Sequence, residues 1–518
     1  MHIETASSTG NRNAGYVLLF LALLTATICG VLMWNTFYGD PSIYLTVAHN
    51  MASGYLFSFN PGEFSSGSTS PLWALLLSLG FIAGNGVIIA KLISLTLTLL
   101  SLAILFKSLY SINGSYLTSG IGVVYSCYFL LIPALLLYES ALIVILTALA
   151  MKYVIKILEG FKEKNDQIKL FAILAFIPLA RPDSAVIVVV YYLALINYYW
   201  PKANWQRKLE FALISIGVAA PSCLYYGISY LKTGLFSASS TCRAFALSET
   251  ASSLLGIKYS PALLKTLIVG PTTIAFLLAI LGVHILRKKQ KRARLLISII
   301  CLGLYCCLLT IVIPTNDATR YILPVMPMFI MLMTIGIKDM WSTLKTDNNK
   351  LVQIFIIVVL VGMPILSPVR RAWAEHNRRL DFDTIVEKDI VLTINEIAVP
   401  NSTVLAYEVQ DRYYLRPDIK MLSLDGITDG KIEPYLKNVK IYEFLLKYRP
   451  RYWLANDSVK YRPYLANSVF RRAIEVFDKG ASKEYKLGKI TLTAIKKREI
   501  PDIAGFAGWK YLVKIDYQ

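Results

Sequence analysis

FYGDPSIYLTVAHNMASGYLFSFNPGEFSSGSTSPLW, residues 37–73, is a long polar loop without a single Lys or Arg, set between two strongly apolar runs. The rest of the chain is basic, with 53 Lys and Arg against 33 Asp and Glu in 518 residues and a net charge of +20. A loop so empty of cations fits a chain that crosses a membrane, because basic residues collect in the loops that stay in the cytoplasm. The composition agrees: 55% of residues are hydrophobic, 17% are charged and the mean hydropathy is +0.53. One soluble core cannot hide that much apolar surface, so the expected class is a polytopic α-helical membrane protein. The positive charge then reports topology, and no nucleic-acid partner is expected.

About eleven spans are expected. The first, 16–33, lacks a small-residue cleavage site after it and reads as a retained helix, not a signal peptide. The others are 87–105, 116–137, 141–158, 170–180, 185–200, 209–230, 262–286, 295–313, 321–337 and 351–366. PLWALLLSLGFIAG, 71–84, reaches only about 21 Å as a helix, too short for a hydrocarbon core of about 30 Å, and is expected to dip into the outer leaflet. With that segment re-entrant, one side of the membrane holds 19 of the 26 Lys and Arg before residue 370. The amino terminus is therefore expected in the cytoplasm, and the first outer loop, 35–86, on the opposite face.

An odd number of spans sends the tail outside as well. Residues 370–518 carry 27 Lys and Arg against 20 Asp and Glu and contain no spanning run. Ser402–Val409, Ile419–Gly426, Arg451–Asp457 and Lys489–Lys497 read as strands between helical patterns such as EPYLKNVKIYEFLLKY. The expected architecture is a transmembrane domain over 1–369 and a small extracytoplasmic α/β domain over 370–518. Six of seven cysteines lie in apolar runs and Cys242 in a loop, so no disulfide framework is legible.

Within the opening loop, Ile43, Tyr44, Val47, Ala48 and Met51 share a helical face, which predicts an amphipathic helix on the membrane surface. Asp40 before Pro41 is an ordinary helix start, with the carboxylate as N-cap. The same carboxylate, held at the outer headgroup level, can also act on a substrate whose lipid tail lies in the bilayer. The two readings are compatible.

A series of motifs in order carries a family resemblance: Asp40 with the helix ending AHNMASG, then FNPGE and STSPLW, then YESAL around Glu139, ARPDS and RYILPVMP, and in the tail MLSLDGITD. Together they resemble the lipid-phosphate-sugar-dependent glycosyltransferases of the GT-C fold. The likeness is greatest to the bacterial branch that includes the mycobacterial terminal arabinofuranosyltransferase and relatives of the aminoarabinose and protein mannosyltransferases. The chain departs from that branch where Gly39 stands in place of a frequent first acid, and where Thr46 and His49 stand in place of two arginines.

The resemblance implies an inverting transferase at the outer face of a plasma or inner membrane. It would move a sugar from a polyprenyl-phosphate donor to a glycan, lipid or protein acceptor of the cell envelope. Such a reaction needs a base for the acceptor hydroxyl and positive charge for the departing phosphate. Asp40 is the expected base. Glu139, the only acid between residues 87 and 158, positions the acceptor, pairs with an Arg, or joins Asp40 around a divalent Mg or Mn ion. Arg320, then Arg181 and Arg243, are the expected phosphate ligands, with His49 a lesser one; the bland reading of each Arg is snorkelling toward headgroups. A transporter or lipid-linked glycan flippase is the competing class, against which stand the absence of an internal repeat and acids at outer helix ends. A scaffold that recruits glycan enzymes is a third.

Overall fold

The computed structural model describes residues 2–37, 39–160, 164–202, 204–237, 271–289, 291, 294, 297–304, 318–346, 357–382, 388–406, 409–424, 426, 428, 431, 435, 440–456, 469–479, 482–500 and 508–518. They form two compact units: one from Met1–Asn35, Ile88–Leu224 and Gly256–Ala374, the other from Thr36–Val87, Tyr225–Leu255 and Glu375–Gln518.

The first unit is helical. The described helices that lie wholly or mostly in it are α1 (His2–Leu32), α4 (Gly86–Asn113), α5 (Tyr116–Leu135), α6 (Ser140–Leu158), α7 (Lys164–Ala180), α8 (Ala185–Tyr199), α9 (Trp205–Thr233), α10 (Pro271–Lys288), α11 (Ala318–Ile322), α12 (Met326–Thr346) and α13 (Met363–Phe382), with α2 (Asp40–Ala52) and α3 (Pro71–Ile82) belonging to the other unit. Among the described residues, six segments are long and apolar enough to cross a membrane: Asn11–Leu32, Gly86–Asn113, Tyr116–Leu135, Ser140–Leu158, Pro182–Tyr199 and Trp205–Thr233. The expected spans 262–286, 295–313 and 351–366 fall partly outside the described residues.

Helix α5 is the buried axis of the unit, whereas α9 leaves Leu209, Leu213, Ile216 and Leu224 exposed at helical spacing, as a lipid-facing helix does. Between α10 and α12 the backbones approach so closely that a Cβ on Gly282 would strike Leu332 O and one on Gly336 would strike Leu278 O. Small residues allow this where helix association rests on packing.

One expected span is not a single helix. Residues 321–337 divide into the end of α11, a turn, and α12. Pro324 has no N–H for the helical ladder and disfavours helical geometry at Leu323, so the chain turns through Val325 N–H to Ile322 O at 3.0 Å before resuming.

The second unit is built on a six-stranded sheet. Strands β3 (Thr403–Ala406), β4 (Lys420–Ser423), β5 (Tyr452–Asn456), β6 (Glu484–Leu487), β7 (Ile490–Ile500) and β8 (Gly508–Tyr517) follow the order β4-β3-β5-β8-β7-β6. β3 is parallel to β4 and β5, and the remaining pairs are antiparallel. Four strands coincide with those expected from the sequence; β6 and β8 are additional.

Successive side chains of these strands enter opposite cores. Leu405, Trp453, Ala455 and Val513 join Phe444 of α15 (Ile441–Tyr448) and Phe470 and Ile474 of α16 (Val469–Asp478). Val404, Ala406, Tyr452, Leu454 and Leu512 join Ile390 and Ile394 of α14 (Lys388–Ile397), and with them Ile43, Val47, Met51, Phe59 and Ala74 of the opening loop. The loop thus covers one face of the sheet. It contributes α2 (Asp40–Ala52), the hairpin β1 (Ser58–Asn60) and β2 (Glu63–Phe64), and α3 (Pro71–Ile82).

This corrects the expectation of a half-wet surface helix. Pro41 through Ala48 are buried on every side, because α3 packs on α2 as the sheet core receives Ile43 and Val47. Helix α3 does begin at the expected Ser-Pro step, with Ser70 Oγ accepting from Trp73 N–H at 3.3 Å. At 12 residues, about 18 Å, it is too short to span.

Candidate functional site

In the first unit, the site is assembled at the ends of helices. Helix α5 closes in a Schellman turn, with Leu137 N–H on Ala134 O at 3.1 Å and Tyr138 N–H on Pro133 O at 3.2 Å. The left-handed residue of such a turn is usually Gly. Here it is Leu137, fully buried at φ 71°, a strain of about 1–2 kcal/mol for an L-residue. The turn delivers Tyr138 and Glu139 to the start of α6, where Glu139 is the residue before the first helical position.

Opposite them lies Arg181, extended at φ −163° between α7 and α8 and followed by a 3-10 turn over Pro182–Ser184. It separates the expected spans 170–180 and 185–200. Arg181 Nη1 donates to Glu139 Oε1 at 2.8 Å, and Arg181 Nε donates to Asp183 Oδ1 at 2.9 Å and Oδ2 at 3.1 Å. Both Glu139 and Arg181 are buried. Removing one partner of a buried ion pair typically costs about 3–5 kcal/mol, because the other charge is left buried and uncompensated.

Arg320, near the end of α11, is buried in the same cluster. Its guanidinium lies 4.5 Å from the Tyr138 ring centroid and 4.9 Å from that of Tyr321, and its Nη2 donates to Tyr321 Oη at 3.1 Å. Arg181 stacks on Tyr321 at 4.6 Å. Glu139, Arg181 and Arg320, far apart in the chain, are therefore brought together, with the Tyr321 ring against both cations and the Tyr138 ring against Arg320. Two guanidiniums and two carboxylates balance in charge, and the helix starts at α6 and α8 add partial positive charge.

Asp40 and His49 lie on α2 of the other unit. Asp40 is half-buried and is itself the first residue of the helix, one place later than the cap expected of it. Gly39 precedes it at φ 72°, ψ −138°, backbone that an L-residue adopts only under strain. The missing first acid of the related branch thus coincides with a position shaped for glycine. His49 is exposed and meets Phe81 of α3 edge-on at 5.4 Å. Thr46 is buried and bonds back to Ser42 O at 2.8 Å. Arg243 lies outside the described residues.

Glu139, one of the two carboxylates considered for a divalent ion, has a guanidinium on Oε1, an arrangement that suits an Arg partner. Among the described residues no three His, Cys, Asp or Glu side chains group as a metal cage.

Sequence reasoning passed over three participants. Tyr138 and Tyr321 flank motif residues but carry no periodic signal. Lys91 stood inside an expected span; as the single charged residue between Val87 and Phe106, its cost in the hydrocarbon was the signal available. Its Nζ donates to Leu135 O at 2.9 Å and Met33 O at 3.1 Å.

No protein-family profile and no curated protein matches the chain. Two solved structures do resemble it over nearly its whole length. ArnT from Cupriavidus metallidurans bound to undecaprenyl phosphate has 11% identity and a TM-score of 0.57, covering 96% of this chain and 98% of that one. The apo state of the same protein has 11% identity and a TM-score of 0.58, covering 97% and 98%. At such identity the likeness speaks for the fold alone: this chain is folded like these two ArnT structures from end to end.

Proposed function

We propose that the protein is a membrane-embedded glycosyltransferase that transfers a sugar from a polyprenyl-phosphate donor to an envelope acceptor with inversion at the anomeric carbon. The observation that carries this reading is the end-to-end fold likeness to ArnT, a protein solved with undecaprenyl phosphate. The ionic cluster around Arg320 and the ordered motifs of the sequence support it.

In this reading an acceptor hydroxyl attacks the anomeric carbon as the bond to the lipid phosphate breaks. Asp40 takes the hydroxyl proton, a contribution of about 10²–10⁴-fold for a positioned base. The departing phosphate carries the electron pair and is met by Arg320. Ring faces on a guanidinium exclude water from it, which strengthens its charge-assisted bonds to an oxyanion. Arg181 shares the Tyr321 ring with Arg320 and holds Glu139 in place, Arg243 and His49 are secondary phosphate ligands, and Glu139 orients the acceptor. The opening loop and the tail face the outside, and the amino terminus the cytoplasm.

The test is transfer from a radiolabelled polyprenyl-phosphate sugar in membranes carrying the protein. Asp40→Asn is expected to lower transfer at least 100-fold at equal protein level. Unchanged transfer removes Asp40 from the mechanism, and lipid movement in proteoliposomes without glycosidic bond formation replaces the enzyme with a flippase.

A further inference from the structure

Lys91 is 4% exposed, one turn into α4, in an otherwise apolar run. Its Nζ reaches the carbonyls at two helix ends, Met33 O after α1 and Leu135 O at the end of α5. Ser94, nearly one turn later on the same helix, donates to Ala134 O at 2.6 Å. Carbonyls at a helix end lack intrahelical donors and gather partial negative charge, so the ammonium sits where two such ends meet. A cation in this setting is costly, and an apolar side chain of like length would pack without that cost.

Two of the carbonyls so held, Leu135 O and Ala134 O, belong to the turn that strains Leu137 and carries Tyr138 and Glu139. Strained backbone persists where its surroundings over-determine it. Two main-chain bonds close this turn from within; Lys91 and Ser94 hold it from α4. Tyr138 in turn supports Arg320, and Glu139 holds Arg181.

We propose that Lys91 is a positioning residue: its ammonium fixes the turn 134–139 and thereby sets Glu139 and the ring beneath Arg320, although it does not touch substrate. Its catalytic consequence rests on the transferase reading above, whereas its hold on the turn does not.

The experiment compares Lys91→Met and Lys91→Arg in the purified full chain in lipid nanodiscs, with Lys338→Met as control. Lys338 Nζ caps a different helix end, Asn113 O of α4 at 2.7 Å. Amide exchange in 134–140 is expected to rise at least 10-fold in Lys91→Met and not in Lys338→Met. With the polyprenyl-phosphate donor, kcat is expected to fall about 10-fold with KM changed less than 2-fold, and Lys91→Arg to recover most of the loss. If Lys91→Met does not accumulate, Lys91→Gln, which keeps a donor without charge, serves the same comparison.

Unchanged exchange at 134–140, or a uniform rise across all helices, overturns the proposal, as does an equal loss of kcat in Lys338→Met. If the wild type transfers no sugar, the transferase reading fails and the exchange arm alone still decides whether Lys91 holds the turn.

Discussion

At the scale of single residues, Arg181 is the hinge of the charged cluster. It bonds Glu139 and Asp183 at once, so its removal takes the guanidinium from a buried carboxylate, whereas removing both members of the Glu139 pair leaves less charge uncompensated. Arg181→Met is expected to lower the thermal midpoint by several degrees, and adding Glu139→Gln to restore part of it. A double-mutant cycle should return a coupling of about 1–3 kcal/mol; additive losses would show that the pair does not interact. Asp40, Glu139, Arg181 and Arg320 were all legible as candidates, because acids and arginines at helix ends stand out in an apolar chain. What each touches was not legible. The Arg320 stack on Tyr138 and Tyr321 depends on a contact between segments more than 180 residues apart.

At the scale of elements, the opening loop is tied to the tail by its hairpin. Asn60 Nδ2 donates to Met421 O and Asn60 Oδ1 accepts from Met421 N–H, both at 2.9 Å, so a side-chain amide pairs the edge strand β4 as a neighbouring strand would. Ser65 Oγ donates to Thr428 O nearby. Asn60→Ala leaves both main-chain groups of a buried residue without these partners, at a cost of about 2 kcal/mol. Faster proteolysis of the 52–64 segment is the expected readout, and unchanged cleavage would contradict the docking.

Glu63 of the same hairpin bonds Lys420 at 2.7 Å and Lys431 at 2.9 Å. Partial burial raises its carboxyl pKa, but the bonds to the two ammoniums outweigh this and hold it below the ordinary carboxylate range. A carboxyl depressed by folding stabilises the docked state above its unfolded pKa of about 4.3 and ceases to do so as pH falls through the lower folded value. Protection of the hairpin should therefore weaken below about pH 4, and Glu63→Gln should remove that pH dependence. The effect is expected to be small, since surface pairs are screened.

At the scale of the whole molecule, the reading predicts sidedness. In a cysteine-free background, a cysteine at Lys440, exposed in the second unit, should react with an impermeant maleimide from outside intact cells, and one at Lys291 only after permeabilisation. The opposite pattern would invert the topology and with it the outer-face transferase.

The apolar composition, the helix-length runs, the Ser-Pro start of α3 and four of six strands followed from sequence alone, because each rests on local periodicity, helix-end chemistry or partition into lipid. Tertiary structure alone decided that α2 covers the face of a sheet whose strands begin more than 300 residues later, and that Lys91 serves the ends of two other helices. An amphipathic pattern states that a face must be buried but not against what. The partner is set by which distant apolar surface and which unsatisfied carbonyls the folded chain brings within reach.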